Sequence, residues 1–308
     1  MLIKKKSKKN KSLKNSNMFA GDVAFDVINH ILIFAVLFLT AYPVLYVLSA
    51  SFSNPTAIMS GRVKLFPVGF SLEGYKVLLK YSKVVTGFYN SIIYTAFGTL
   101  ISVFLTVCAA YPLSRRDFKP KKIILLLFAF TMWFNGGIIP TYLIVQKLHL
   151  IDTRWAILLP TAISFYNMTI VRTYFVNSIP PELNEAARID GCDDFRYLWK
   201  IVLPLSVPIL AVVSMYYAVG QWNSFFNAFL YLQSQELFPL QLVLRDILIL
   251  NSSNDAIGAN LSEQTQREYM AELLKYSLIV VSSLPVIIMY LFVQKHLVKG
   301  IMLGAVKG

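Results

Sequence analysis

The chain has 308 residues, 56% of them hydrophobic and 15% charged, and a formal net charge of +13. A water-soluble domain carries nearer a quarter charged residues, and the apolar excess here is gathered into runs of 22 or more residues, where a helix needs about 20 to cross a bilayer. An ordinary soluble domain is excluded, and so is nucleic-acid binding, since no recognition motif accompanies the basic charge.

In chain order, residues 1–26 form a basic segment with seven lysines between Lys4 and Lys14, a block of like charge that stays solvated. Residues 27–308 then read as one domain with six apolar spans, at 27–50, 88–112, 123–146, 155–176, 205–231 and 273–294. Backbone groups in lipid must bond internally, so the spans are predicted as helices; the short alternating segments of a β-barrel are not visible. The fold class is therefore an all-α membrane protein with six transmembrane helices. The first run has no signal-peptide cleavage site and is expected to be retained. With the N-terminus in the cytoplasm, eighteen of the 29 basic residues fall in the inside segments. These hold the N-terminal lysines, the cluster Arg115, Arg116, Lys119, Lys121 and Lys122, the stretch 178–204 and the tail 295–308. That bias sets the orientation. Of the outside segments, 51–87 has the prolines and glycines of a loop, with a short helix opening at Phe70–Tyr75, and 232–272 reads as a polar loop. Cys108 and Cys192 form no motif, and His30, His149 and His296 lack metal-ligand spacing.

The stretch between spans four and five carries most of the information. Pro180 and Pro181 suit a first helical turn, and Glu182 and Glu185 lie near its positive end. Ala186 and Ala187 keep the helix slim enough for another protein surface to approach. Gly191 permits a left-handed residue that ends the helix. Asp193 or Asp194 can cap a second helix through Phe195, Leu198 and Trp199, and Pro204 is read as the start of the fifth span. The pattern Glu185-Ala186-Ala187, three residues, Gly191, nine residues, Ile201-x-Leu203-Pro204 resembles the EAA loop of permease subunits in bacterial ABC importers. The tail from Gln294 to Gly308 resembles that of the maltose-importer type of permease.

The resemblance runs from the second span to the last residue and implies the type I ABC importer permease fold, with 178–204 as a cytoplasmic coupling loop. It implies that Glu185, Ala186, Ala187, Asp190 and Gly191 dock on an ATPase, and that Gly304, Lys307 and Gly308 reach between the ATPase subunits. The partners implied are a second, non-identical permease, two ATP-binding subunits and an extracellular solute-binding lipoprotein. The phosphate-cradling loop of an ATPase is absent here, so ATP and Mg²⁺ are expected on the partner and no cofactor on this chain. The location implied is the bacterial plasma membrane, multi-pass, with lipid around it and both termini cytoplasmic.

For a transport path, Tyr216, Gly220, Asn223 and Asn227 recur at helical spacing along the fifth span, with Trp222, Phe226 and Phe229 as an aromatic stripe beside them. Asn amides can bond sugar hydroxyls and aromatic faces can stack on pyranose rings, although Asn and Gly also serve as contacts between membrane helices. Trp133, Asn135, Gly136, Gly137 and Pro140 mark a kink in the third span, facing partner or pore. Tyr166 and Asn167 are weaker candidates, and Arg172 is expected to snorkel to headgroups. Stretches Trp133–Pro140, Asp152–Pro160 and Gly220–Leu232 resemble the oligosaccharide and complex-polysaccharide branch of the family, which points to a carbohydrate. The same resemblance implies that 232–272 reaches into the external binding protein. Two alternatives stay open: another solute, such as a peptide or amino acid, and a membrane phosphotransferase of the CDP-alcohol class. The latter's motif order is reversed here, with Ala187-Arg188 ahead of Asp190-Gly191. A transport subunit rather than an enzyme is expected.

Overall fold

The computed structural model describes residues 20–252 and 261–305, which are helical with no strand among them. The chain divides into two units, Met1–Leu72 and Glu73–Gly308.

In the first unit, α1 (Ala20–Ser51) contains an apolar stretch, Phe25–Ser51, long enough to cross a membrane. Its large side chains are mostly exposed, as a surface meeting lipid requires. The Pro- and Gly-rich segment after it is tied to the helix end. Ser49 Oγ donates to the Leu65 carbonyl at 2.6 Å, and the Val68 N–H donates to Ser53 Oγ at 3.0 Å. Asn54 caps the short α2 (Pro55–Met59) by accepting from the Thr56 N–H.

The second unit is organised around α4 (Ser82–Ser114), which follows the predicted surface helix α3 (Glu73–Lys80). At 33 residues, α4 is about 50 Å long. It packs along α8 (Phe165–Ser178), α11 (Val207–Trp222) and α13 (Leu240–Ser252). The long α14 (Leu261–Ala305) packs against α11, α13 and α3. Around the first half of α4, one core joins Leu78, Val84, Trp222, Leu240 and Leu278, and another joins Tyr94, Ile157, Ala228 and Leu242. Around its second half, Val107, Ala110 and Leu113 meet Met168, Val171, Phe175 and Val213. A hydroxyl relay holds the three helices together between these cores: Thr106 Oγ1 and Tyr217 Oη are 2.7 Å apart, and the Ser164 N–H donates to Tyr217 Oη at 3.1 Å.

Of the six predicted spans, the first, second and last lie within unbroken helices long and apolar enough to cross a membrane. The other three are interrupted, the third span at the expected kink. Span 123–146 is two helices, α5 (Lys121–Trp133) and α6 (Ile138–Lys147), whose directions differ by 117°. The Asn135 side chain accepts from the Gly137 N–H in the break. Span 155–176 is a single turn, α7 (Trp155–Leu158), then α8, separated at Pro160, with Ser164 capping the second piece. Span 205–231 starts at Val207, ends at Trp222 and resumes as α12 (Phe226–Tyr231). Segment 232–272, expected to be a polar loop, is also not all loop, since it contains α13 and the start of α14. Arg172 does not snorkel: its Nε donates to the Leu113 carbonyl at 2.9 Å, satisfying the end of α4. His149 terminates α6 in a left-handed cap at φ 54°.

The segment joining α12 to α13 is held by a polar frame. Asn90 Nδ2 donates to the Glu236 and Phe238 carbonyls at 2.6 and 3.1 Å, and Tyr94 Oη donates to the Leu237 carbonyl at 2.8 Å. Asp152 accepts from the Ser234 hydroxyl and from the Ser234 and Gln233 N–H groups. Those bonds, the Ser234 hydroxyl first, hold the Asp152 carboxyl below its usual range. A carboxyl lowered in the folded state stabilises above its ordinary value, and the contribution disappears as pH falls through the lowered one. Protection of residues 233–237 in hydrogen exchange, corrected for intrinsic rates, is therefore expected to be flat from pH 8 to 5 and to drop in stronger acid. Asp152→Asn should lower it at neutral pH and remove the acid step.

Candidate functional site

Helix α9 (Pro181–Ile189) opens on Pro180 and Pro181 and closes on Gly191. The Cys192 N–H bonds the Ala187 carbonyl at 2.8 Å and the Gly191 N–H bonds the Arg188 carbonyl at 3.1 Å. This is a Schellman closure with a left-handed residue at its C′ position; Gly191 supplies it at φ 70°. Asp193 then caps the next helix, its Oδ1 accepting from the Arg196 N–H at 2.6 Å. That helix, α10 (Asp194–Leu205), includes a π-turn at Leu198–Val202 and lies at 83° to α11. Pro204 therefore belongs to this arm and does not start a span; the break falls at Ser206 and the span begins at Val207.

The two alanines are not equivalent. Ala187 is buried in the core with Leu113, Phe175, Tyr197, Leu198 and Val202, whereas Ala186 is exposed. Successive helical residues differ by about 100°, so only one of the pair can offer a slim surface to another protein. The smallness of Ala187 instead lets α9 approach its own bundle. Glu185, Asp190 and Gly191 are exposed. The projecting tip includes apolar residues that the sequence reading did not single out as exposed: Ile189 at 87% exposure and Phe195 at 72%, the latter with its ring 6.1 Å from that of Trp199.

An ion network braces these helices to the α4–α5 turn. Arg115, 12% exposed, reaches Asp117 at 3.3 Å and Asp194 at 3.2 Å; Arg188 reaches Asp117 at 2.8 Å. Desolvation pushes the Asp117 carboxyl up, but hydrogen bonds from Arg115 and Arg188 outweigh it and hold it below the usual range. Tyr111 Oη donates to the Asp194 carbonyl at 3.2 Å, and its ring lies under the Arg115 guanidinium. A cavity of about 290 Å³ lies behind α9, lined by residues that include Arg115, Asp117, Pro180, Glu185 and Arg188. In the sequence Arg115 stood out only as part of a basic cluster and Arg188 only beside the reversed phosphotransferase motif, and Asp117 did not stand out at all. The signal available was an acidic residue inside a basic turn.

Of the path candidates, Tyr216, Gly220, Asn223 and Phe226 are exposed and Asn227 is half-buried. The break after Trp222 separates them into two helices, so they do not form one continuous stripe. Trp222 leaves the set: it is 2% exposed, its Nε1 donates to the Ser282 carbonyl at 2.8 Å, and its ring meets Phe88 edge-on at 5.7 Å. An indole spent in this way is core. Trp133 and Asn135 are exposed at the α5–α6 break. Gly304 lies in the last turns of α14, while Lys307 and Gly308 lie outside the described residues.

Broken apolar helices around a long axial one, with a braced surface hinge between two of them, define a membrane permease subunit. The chain belongs to the family of binding-protein-dependent transport system inner membrane components, whose pattern it matches over residues 67–303. It is thus a transport subunit that works with a separate binding protein and ATPase, and not an enzyme. Protein LplC of Bacillus subtilis (strain 168) is 39% identical over 292 residues, covering 95% of this chain and 97% of that protein. The polygalacturonan/rhamnogalacturonan transport system permease protein YtcP of the same organism is 41% identical over 272 residues, covering 86% and 92%. A chain from the crystal structure of a bacterial ABC transporter involved in the import of the acidic polysaccharide alginate superposes with a TM-score of 0.82. It is 34% identical and covers 91% of this chain and 99% of that one.

Arg188→Ala, at a pair more than half exposed on both sides, is expected to lower stability by less than about 1 kcal/mol. Arg115→Ala should cost more, because it removes the more buried of the two arginines and leaves Asp117 and Asp194 with the exposed Arg188 alone. The check is thermal unfolding together with protease cleavage within 181–205. Trp222→Ala is expected to cost about 3–5 kcal/mol, and Trp222→Phe clearly less, with substrate selectivity unchanged in reconstituted uptake.

Proposed function

We propose that this chain is one of two non-identical permease subunits of an ATP-driven importer for oligosaccharides. It sits in the bacterial plasma membrane with both termini and the α9–α10 hinge in the cytoplasm. The observation that carries the reading is the hinge itself. Exposed apolar side chains, Ile189 and Phe195, stand on a charged element whose other face is anchored in the bundle through Ala187, Tyr197, Leu198 and Val202. An exposed apolar tip suits a groove in another protein, and the anchoring makes it a rigid link. A pair of ATPase subunits binding ATP and Mg²⁺ provides that groove, with Glu185, Ala186, Asp190 and Gly191 at the contact. The tail residues Gly304, Lys307 and Gly308 make a second contact with the same pair.

The cytoplasmic placement is supported by the basic residues gathered at 1–26, 115–122 and the tail. The oligosaccharide reading is supported by the glycan named for YtcP and for the alginate importer. Exposed Tyr216, Asn223 and Phe226 beside a helix break are groups that can meet a sugar. An external binding protein delivers the solute.

Cysteine at Ala186 should crosslink to the ATPase, whereas cysteine at the buried Ala187 should not. Gly191→Val, strained at positive φ, should reduce uptake by more than about tenfold with membrane insertion unaffected. Normal uptake by that variant, or labelling of position 186 from outside the cell, counts against the coupling role. Uptake of labelled peptides and not of oligosaccharides counts against the substrate.

A further inference from the structure

At the break between α11 and α12 the chain exposes Phe225, Phe226 and Phe229. Arg245 of α13 lays its guanidinium over the Phe229 ring, with Cζ 4.2 Å from the centroid. Its side chain remains 33% exposed, and among the described residues its ion-pair partner is the adjacent Asp246, through a single contact at 3.5 Å. A guanidinium has five N–H donors in one plane. Stacking occupies its face and leaves the edge available, and one long contact to a neighbour uses little of it. A charged side chain does not face hydrocarbon in a membrane protein, so this surface meets water or a polar partner. A planar fork held flat on an aromatic ring is the geometry that grips a carboxylate with two parallel bonds.

We propose that the Arg245–Phe229 pair is a carboxylate-selective contact on the transport path and that the oligosaccharide carried is acidic, with uronate units. The inference rests on the carbohydrate reading above. The guanidinium edge takes the sugar carboxylate, and the exposed faces of Phe225 and Phe226 take the apolar faces of pyranose rings. Asn223 and Asn227 supply amides for hydroxyls. Asp246 has a part as well. A path must hold its cargo weakly enough to release it, and a carboxylate beside Arg245 competes with the sugar and keeps the grip loose.

The test uses the complete importer, with its partner permease, ATPase and binding protein, in proteoliposomes. The probes are labelled trigalacturonate, its neutral methyl ester, and neutral maltotriose. The wild type is expected to move trigalacturonate in preference to the ester. Arg245→Gln should reduce that preference by about tenfold or more while ester uptake stays the same, and Arg245→Lys should fall between, since it keeps the charge but loses the fork. Asp246→Asn, read independently in case Arg245→Gln does not assemble, should lower the half-saturating trigalacturonate concentration and leave that of the ester unchanged. An acid-over-ester ratio untouched by Arg245→Gln overturns the proposal. So does a wild type that moves maltotriose and not trigalacturonate, which leaves the carbohydrate reading standing. Uptake of peptides with no uptake of any sugar probe removes both.

Discussion

The constraint on which the α9–α10 end depends is a guanidinium that cannot be left unpaired. Arg115 is 12% exposed, and an ion so far out of water needs counter-charges in place. They come from two different elements: Asp117 in its own turn and Asp194 at the start of α10. Its carbonyl is satisfied by Lys121 Nζ at 2.9 Å, and the carbonyl of Leu113 just before it by Arg172. The last turn of α4, whose carbonyls would otherwise lack partners, is thus closed by basic side chains from α5 and α8. The surface helices are tied into the same closure.

The two ends of α4 are built on different chemistry. At the end beside α9 and α10, charges meet across short distances over an aliphatic core. At the other, amides and hydroxyls from Asn90, Ser91 and Tyr94 hold backbone groups of 236–240. Neutral bonds of that sort depend little on salt, whereas the exposed parts of the ion network are screened by it. Between the ends lie the interrupted helices, and irregular backbone at membrane depth is tolerated where it meets protein or a water-filled space. The exposed Trp133, Asn135, Asn223 and Phe226 all lie at such interruptions.

What could be read from the sequence was local. The Pro180–Pro181 start, the Gly191 closure and the Asp193 cap each follow from one or two residues and their neighbours, and each is found as expected. What could not be read required direction in space. A run of apolar residues has a length but no axis: Gly136, Gly137 and Pro140 marked the break between α5 and α6 but not its 117° angle, and the true start of the span at Val207 lay hidden inside continuous hydropathy. The inward turn of Ala187 and the burial of Trp222 depend on partners far along the chain, Leu113 and Ser282 among them, which no spacing rule names. Arg115, Asp117 and Arg188 are 73 residues apart at the extremes, and only the fold makes them one group.

The near-perpendicular meeting of α10 and α11 has a mechanical consequence. Twelve residues of helix make an arm about 18 Å long, joined at 83° to a shaft, the apolar helix α11. A sideways displacement of about 3 Å at the arm's far end turns the shaft about its own axis by roughly 10°, a rotation that a collinear joint would not produce. Side chains further up the shaft, Tyr216 and Gly220 among them, then sweep around the axis with little travel along it. A push on the arm would reach the shaft as torque.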